Sequence, residues 1–308
     1  MKVANDANSR PQTGLLQADL IIEIPVEGNI TRLAVVYQSQ EPARVGPVRS
    51  ARQSDLNYLS TLKPILTHVG ASDLVAKLVR DASNSGAFVD VDEFEHPDAF
   101  ERTNDKPAPY NTYTSGAKIR QAAGDKGKQS VDVPGLPFDG LVKGPPTDGK
   151  SLTVPYPDAA QLVTYAFDDA GGYRRTQGGQ ATTDGGKEVH PQNIVIIKTD
   201  VNEIPGTADA AGSPSVDYRA TGTGPLIVLR DGRRFEGTWT RQGTEMYKLA
   251  DASRCDDRAD ARTDLAAHRP LILRHPLTAA ILAGHACRPQ RVAALQDRGA
   301  RAQRHGDR

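Results

Sequence analysis

The chain has 308 residues and a mass of 33.1 kDa, with 38 basic against 38 acidic side chains, 38% apolar and 5% aromatic residues and a mean hydropathy of -0.50. Zero formal net charge removes the basic excess that phosphate-tracking proteins carry, which argues against nucleic acid as a partner. The apolar runs, such as Leu33 to Tyr37 and Ile194 to Ile197, are far shorter than the roughly 20 residues that cross a bilayer as a helix, so no transmembrane segment is expected.

The length suggests two ordinary domains, each able to bury a core. Residues 18–24 (A-D-L-I-I-E-I) and 30–39 are rich in branched side chains and flank Glu27-Gly28-Asn29, the signature of a hairpin. Pro47 is set for a first helical turn, and Val48, Ala51, Leu59 and Leu62 then recur at helical spacing, which predicts a helix over 48–62. Residues 64–69 (P-I-L-T-H-V) read as a short buried strand, Ser72 as the cap of a helix over 73–80, and 87–91 as another strand. The order β-β-α-β-α-β predicts an α/β domain over 1–123, a mixed sheet covered by helices. Residues 124–150 are crowded with Gly, Pro, Asp and Lys and read as a linker. Beyond it, 152–155, 161–167, 194–199, 226–230 and 234–240 look like strands, with Asp231-Gly232 as a two-residue hairpin turn. That makes 151–253 a smaller β-rich domain.

Composition changes after about residue 250. The last 58 residues hold 11 Arg, no Lys, 7 Asp, no Glu, 13 Ala, no aromatic residue, both cysteines and four of the seven histidines. Cys255, Cys287, His268, His275, His285 and His305 lack metal-ligand spacing, so neither a metal nor a cofactor is expected. Residues 254–308 read as a disordered extension or as the product of a GC-rich gene translated out of frame. With codons chosen to suit, a one-base slip over 255–265 would read as a Gly turn followed by a Trp strand.

The residues that carry most information are arginines. Arg32 lies in the second strand of the hairpin, and Arg44, Arg49 and Arg52 on the loop and first turns after it. On a helical wheel Arg52 and Asp55 fall inside the apolar face of Ala51, Leu56, Leu59 and Leu62. A charged pair there must be satisfied by a mutual salt bridge or by a ligand. Two readings stay open. In one, the arginines pair internally with Asp55, Glu23 and Glu27. In the other, the helix N-terminus at Gly46-Pro47-Val48 and the guanidinium forks form an anion site for phosphate or carboxylate.

Other candidates carry less. His68 could serve as a general base or as a hydrogen-bonded core histidine. Tyr110-Asn111-Thr112-Tyr113 could line a cleft or form a turn, and Asp90, Asp92, Glu93 and Glu95 read as a solvated acidic edge without calcium-loop spacing. Trp239 is expected to pack between strands.

The runs Arg10-Pro-Gln-Thr-Gly-Leu15, Gln17-Ala-Asp19, Val26-Glu-Gly-Asn-Ile-Thr-Arg32 and above all Val45-Gly-Pro-Val-Arg-Ser-Ala-Arg52 resemble the YerB-like family of predicted bacterial lipoproteins, described by two adjoining domains of unknown function. The second domain's resemblance lies in Asn193-Ile-Val-Ile, in Gly224-Pro-Leu-Ile-Val-Leu-Arg-Asp-Gly and in Gly237-Thr-Trp239, and coverage runs from Met1 to about Ser253. The resemblance implies an extracytoplasmic, membrane-anchored protein, whereas from this sequence alone neither an export leader nor a lipid-modified cysteine is expected. Where relatives place His before Asn111, this chain has Tyr110. The resemblance supplies no catalytic residues and names no reaction. The expectation is therefore an envelope-associated protein that binds an anionic glycan, lipid or envelope protein through Arg32, Arg44, Arg49 and Arg52, oriented by Glu23, Glu27 and Asp55, with Asn111 nearby. The alternative is a non-enzymatic scaffold whose arginines are structural.

Overall fold

The branched runs around Glu27-Gly28-Asn29 form an antiparallel hairpin in the computed structural model, which describes residues 1–128, 147–156, 158–169, 171–208, 212–251 and 278–285. Its strands are β2 (Leu20–Pro25) and β3 (Thr31–Val36), and the short β1 (Lys2–Ala4) pairs antiparallel with β3. Gly28 turns the chain at φ +72°, a conformation open to glycine at little cost.

The helix expected over 48–62 is shorter than its apolar spacing suggests. Residues 45–51 run extended instead, because their backbone groups are claimed by neighbouring segments. The amides of Val45, Val48, Arg49 and Ala51 donate to the carbonyls of Thr114, Thr112, Lys2 and Gly70. Gly46 packs so closely on Tyr113 and Thr112 that a Cβ there would lie 2.5 Å from the Tyr113 ring and 2.9 Å from the Thr112 carbonyl. Helix α1 covers Gln53–Leu59 and ends in a 3-10 turn at Ser60–Leu62. The helix N-terminus is therefore at Arg52 and Gln53 and not at Gly46-Pro47-Val48.

There follow β4 (Ile65–His68), α2 (Asp73–Asn84), β5 (Val89–Asp92), β6 (Phe100–Arg102), β7 (Thr112–Thr114) and α3 (Gly116–Ala123). Strands β4 and β5 pair in parallel, and β6 pairs antiparallel with β7. Most of the stretch read as a linker lies outside the described residues. At its ends, Gly124–Lys128 continues α3 as a 3-10 turn and β8 (Thr147–Asp148) pairs with residues 233–234.

The second half is β-rich, as its turn and strand signals lead one to expect. It contains β9 (Ser151–Val154), β10 (Val163–Asp168), β11 (Gly172–Gln177), β12 (Gln180–Ala181), β13 (Thr183–Asp184), β14 (Lys187–Glu188), β15 (Asn193–Ala208), β16 (Pro214–Tyr218), β17 (Gly222–Arg230), β18 (Arg233–Arg241) and β19 (Lys248–Asp251). The β17–β18 turn places Asp231 at φ 51° and Gly232 at φ 69°, the two positive angles that favour Asp-Gly in a hairpin. Most of residues 254–308, with Cys255, Cys287, His268, His275 and His305, lie outside the described residues. The described part is β20 (Thr278–His285), which lies parallel to β2 on one side and to β15 on the other.

One mixed sheet therefore runs through both halves in the order β1-β3-β2-β20-β15-β17-β18-β19, while β12-β11-β10-β9 form a smaller sheet. Period-two alternation divides the apolar residues between the faces. Ile22 and Ile24 of β2 share a core with Tyr58 and Leu59 of α1, Leu66, Val75 and Val79, and with Val195, Ile197 and the fully buried Trp239 of the second half. On the other face Ile194, Ile196, Ile227 and Leu229 pack against Val154, Tyr165 and Tyr173. Among the described residues no helix is long and apolar enough to cross a membrane.

Candidate functional site

The same alternation sorts the candidate site residues. In the hairpin register Arg32 lies opposite Ile24, and Glu23 opposite Leu33. Since directly paired residues share a face, Arg32 points with Ile22 and Ile24 toward α1, and Glu23 points the other way. Strands β1 and β3, the hairpin turn, the segment before α1 and α1 itself then bring Lys2, Arg32, Glu27, Arg49, Arg52 and Asp55 together.

Arg52 flanks the start of α1. Its backbone N–H donates to Asp55 Oδ2 at 2.8 Å, its Nε to Glu27 Oε2 at 2.6 Å and its Nη1 to the Ala51 carbonyl at 3.0 Å. The other Asp55 oxygen accepts from Lys2 Nζ at 2.5 Å, and both partners of that pair are buried. Thus Asp55 is held by Lys2 and by the backbone N–H of Arg52, the residue that caps the helix, and not by the Arg52 guanidinium. Arg32 is 3% exposed, donates Nη1 to the Ser50 carbonyl at 3.2 Å, and has no salt-bridge partner among the described residues. Its Nε, like that of Arg49, is buried without a hydrogen-bond partner among them. Arg49 lies 5.6 Å from the centre of the Tyr110 ring and also feels Asp6.

Four cations thus meet two carboxylates, Glu27 and Asp55, with Asp6 beside Arg49 at the outer edge. The electrostatic consequence falls on the deepest groups. Burial pulls the Arg32 guanidinium down to about 9, Arg52 and Arg49 add to the effect, and Glu27 and Asp55 oppose it. Burial also lowers Lys2, against the pull of Asp55. Each charged form is held at a cost that an added anion would offset.

The remaining expected members lie elsewhere. Arg44 is half exposed, bound to Glu101 at 3.2 Å and stacked 3.9 Å from the Tyr113 ring centre. Asn111 donates Nδ2 to the Thr103 carbonyl at 3.2 Å, while its buried Oδ1 has no partner among the described residues.

Glu23 belongs to a different network, which joins the two halves. It is 2% exposed, binds Arg175 of β11 at 2.9 Å, and accepts from Asn5 Nδ2 at 3.0 Å and Thr31 Oγ1 at 2.8 Å. Arg175 also donates to Thr182 Oγ1 at 2.6 Å and Gln177 Oε1 at 3.0 Å. Sequence reading missed Arg175 because G-Y-R-R-T-Q carries two adjacent arginines and does not announce a half-buried strand. It missed Lys2 because a lysine one residue from the start of the sequence looks like a solvated terminus. The run Met1-Lys-Val-Ala-Asn5 has no period-two alternation that would mark Lys2 as buried.

His68 does not stand ready as a free base. Its Nε2 lies 2.9 Å from Asp90 Oδ1 and its Nδ1 2.9 Å from the Gly70 carbonyl. Both neighbours are acceptors, so the imidazole satisfies them best with a proton on each nitrogen. Burial lowers His68, but the Asp90 hydrogen bond, the charges of Asp90 and Asp92 and the Gly70 carbonyl outweigh it and raise it. The acidic stretch read as a solvated edge is thereby partly structural: Asp92 also accepts the Gly70 N–H at 2.7 Å, and the buried Glu93 is gripped by Arg102 at 2.7 Å.

Comparison with known proteins adds an ancestry to this geometry. Residues 1–129 match the family described as "Protein of unknown function (DUF3048) N-terminal domain", and residues 152–253 match its C-terminal domain. The chain is 32% identical over 255 residues to the Bacillus subtilis (strain 168) protein named "Putative lipoprotein YerB", covering 81% of this chain and 74% of that one. It is also similar to the crystal structure of YerB protein from Bacillus subtilis, with a TM-score of 0.69, 27% identity, and coverage of 91% of this chain and 88% of that chain. The chain belongs to the DUF3048 family.

Proposed function

We propose that this member of the DUF3048 family is a membrane-anchored envelope protein that binds a phosphate- or carboxylate-bearing component through Arg32, Arg49 and Arg52. The observation that carries the reading is Arg32, buried at 3% exposure, with an Nε that has no hydrogen-bond partner and with no salt bridge to a carboxylate among the described residues. An uncompensated guanidinium in such a place costs several kcal/mol. An anion reaching Arg32 and Arg49 would accept from donors that already face inward, and would relieve the mutual repulsion of three guanidiniums. The anchoring belongs to the reading through the relative named as a lipoprotein. In this arrangement Glu27 and Asp55 orient the cations rather than neutralise the cluster.

A specific observation favours a second reading, a scaffold with structural arginines: Arg52 is closed by Glu27 and Lys2 by Asp55. Calorimetric titration of the full chain with pyrophosphate and with citrate separates the two. Anion binding predicts saturable uptake that Arg49→Ala weakens by roughly tenfold or more, the loss of one charge-assisted hydrogen bond, while the variant's thermal unfolding stays near that of the parent. Absence of uptake, or uptake indifferent to Arg49→Ala, refutes the proposal and leaves the scaffold.

A further inference from the structure

Glu27 and Arg52 come from different elements, so their 2.6 Å contact requires the end of the hairpin and the start of α1 to be held in register. Helix α1 has seven residues, far fewer than the roughly 12–15 at which an isolated helix becomes even marginal, so its position is set by what grips it. Gln53 and Asn57 stand one turn apart on one face and both aim their side-chain amides at Asp217 of β16. Gln53 Nε2 lies 3.1 Å from Asp217 Oδ2, and Asn57 Nδ2 lies 3.0 Å and 3.1 Å from the two carboxylate oxygens. The N–H of Tyr218 adds a bond of 2.8 Å to Oδ1. Arg241 of β18, 2% exposed, grips the same helix at the Asn57 carbonyl, 2.6 Å, and at Thr61 Oγ1, 2.8 Å. The other arm is held by the next residue of β16: the Tyr218 hydroxyl donates to the Pro25 carbonyl at 2.9 Å, two residues before Glu27.

We propose that Asp217 is a positioning residue for the Arg52–Glu27 pair, and that the β-rich half in this way sets the geometry of the arginine cluster in the first half. A carboxylate suits the position because it accepts only, and every group it faces there donates. An asparagine would turn its own N–H groups toward the amides of Gln53 and Asn57. The geometric claim stands on these contacts, and its consequence for binding rests on the anion-binding reading. If that reading holds, an anion that tightens Arg52 also tightens the docking of α1 on β16, by the same factor in reverse.

The test uses the full chain and two readouts, the Arg52 Nε–H resonance and the affinity for pyrophosphate. Asp217→Ala should move that resonance toward the position of a solvated arginine and weaken pyrophosphate by about tenfold, a loss typical of one misplaced charged contact. Asn57→Ala removes two of the amide contacts without touching β16, and should shift the resonance in the same direction if Asp217→Ala fails to fold. Arg219→Ala breaks the neighbouring pair with Asp200, 2.8 Å, on the segment after β16 and should leave both readouts unchanged. The proposal is overturned if the resonance stays in place in folded Asp217→Ala or Asn57→Ala, or if Arg219→Ala moves it equally. Should the parent chain bind no pyrophosphate while the resonance still moves, the anion-binding reading falls and the positioning role stands.

Discussion

Replacing Arg175 by Ala should destabilise the protein by roughly 3–5 kcal/mol, because it removes one partner of a buried pair and leaves the other charge without compensation. The structure sets the size of the effect. Arg175 is 6% exposed and Glu23 2%, and the substitution deletes the contacts to Glu23, Thr182 and Gln177 at 2.9, 2.6 and 3.0 Å. Asn5 and Thr31 still donate to Glu23, which keeps the carboxylate solvated in part and the cost below that of an isolated buried charge. The double variant Glu23→Gln with Arg175→Met removes both charges at similar volume and should recover at least half of the loss, since the penalty arises from the unpaired partner more than from the missing attraction. Urea unfolding followed by the fluorescence of Trp239, the single tryptophan, reports the difference directly because that side chain is buried in the core shared by both halves. A loss below about 1 kcal/mol for Arg175→Ala, the level of a solvated surface pair, would refute the reasoning, as would a double variant as unstable as the single one.

Two further outcomes follow from the buried titratable groups. Lys2→Met should cost roughly 3–5 kcal/mol, as it removes the buried salt-bridge partner of Asp55 and leaves the Arg52 backbone N–H as its hydrogen-bond donor among the described residues, and the Lys2→Met, Asp55→Asn double variant should be milder; thermal unfolding of the two variants measures this. His68 is raised by Asp90, Asp92 and the Gly70 carbonyl against the opposing effect of burial, so its contribution is fully present below the unfolded value of about 6.5 and is lost as pH rises through the folded value. Stability measured by urea unfolding between pH 6 and 8 should accordingly fall more in the parent than in His68→Gln, and equal slopes would contradict the assignment.

Local chemistry made much of this protein legible before its fold. The hairpin at Glu27-Gly28-Asn29, the Asp231-Gly232 turn and the β-rich second half follow from branched residues and positive-φ turn positions, which act over a few residues and need no distant partner. Within Val45-Gly-Pro-Val-Arg-Ser-Ala-Arg52, the stretch that carries the resemblance, Gly46 packs so closely on Tyr113 that this chain leaves no room there for a side chain. The same stretch misleads about its conformation. Helical spacing from Val48 is real, yet the amides of Val48, Arg49 and Ala51 are taken by Thr112, Lys2 and Gly70, segments whose arrival no local pattern announces.

Charge pairing divides along the same line. Arg52 near Asp55 is visible as a pair three residues apart, but their actual partners, Glu27 and Lys2, are chosen by the hairpin and by β1. Glu23 and Arg32 look like neighbours in sequence terms and end on opposite faces, because one step along a strand reverses the side chain. Arg175, Asp217 and Arg241 reach their partners over more than 150 residues of chain. Sequence by itself determined the class of fold, the ancestry and the presence of clustered cations. Only tertiary structure decided which carboxylate meets which cation, since that depends on distances through space that the order of residues does not encode.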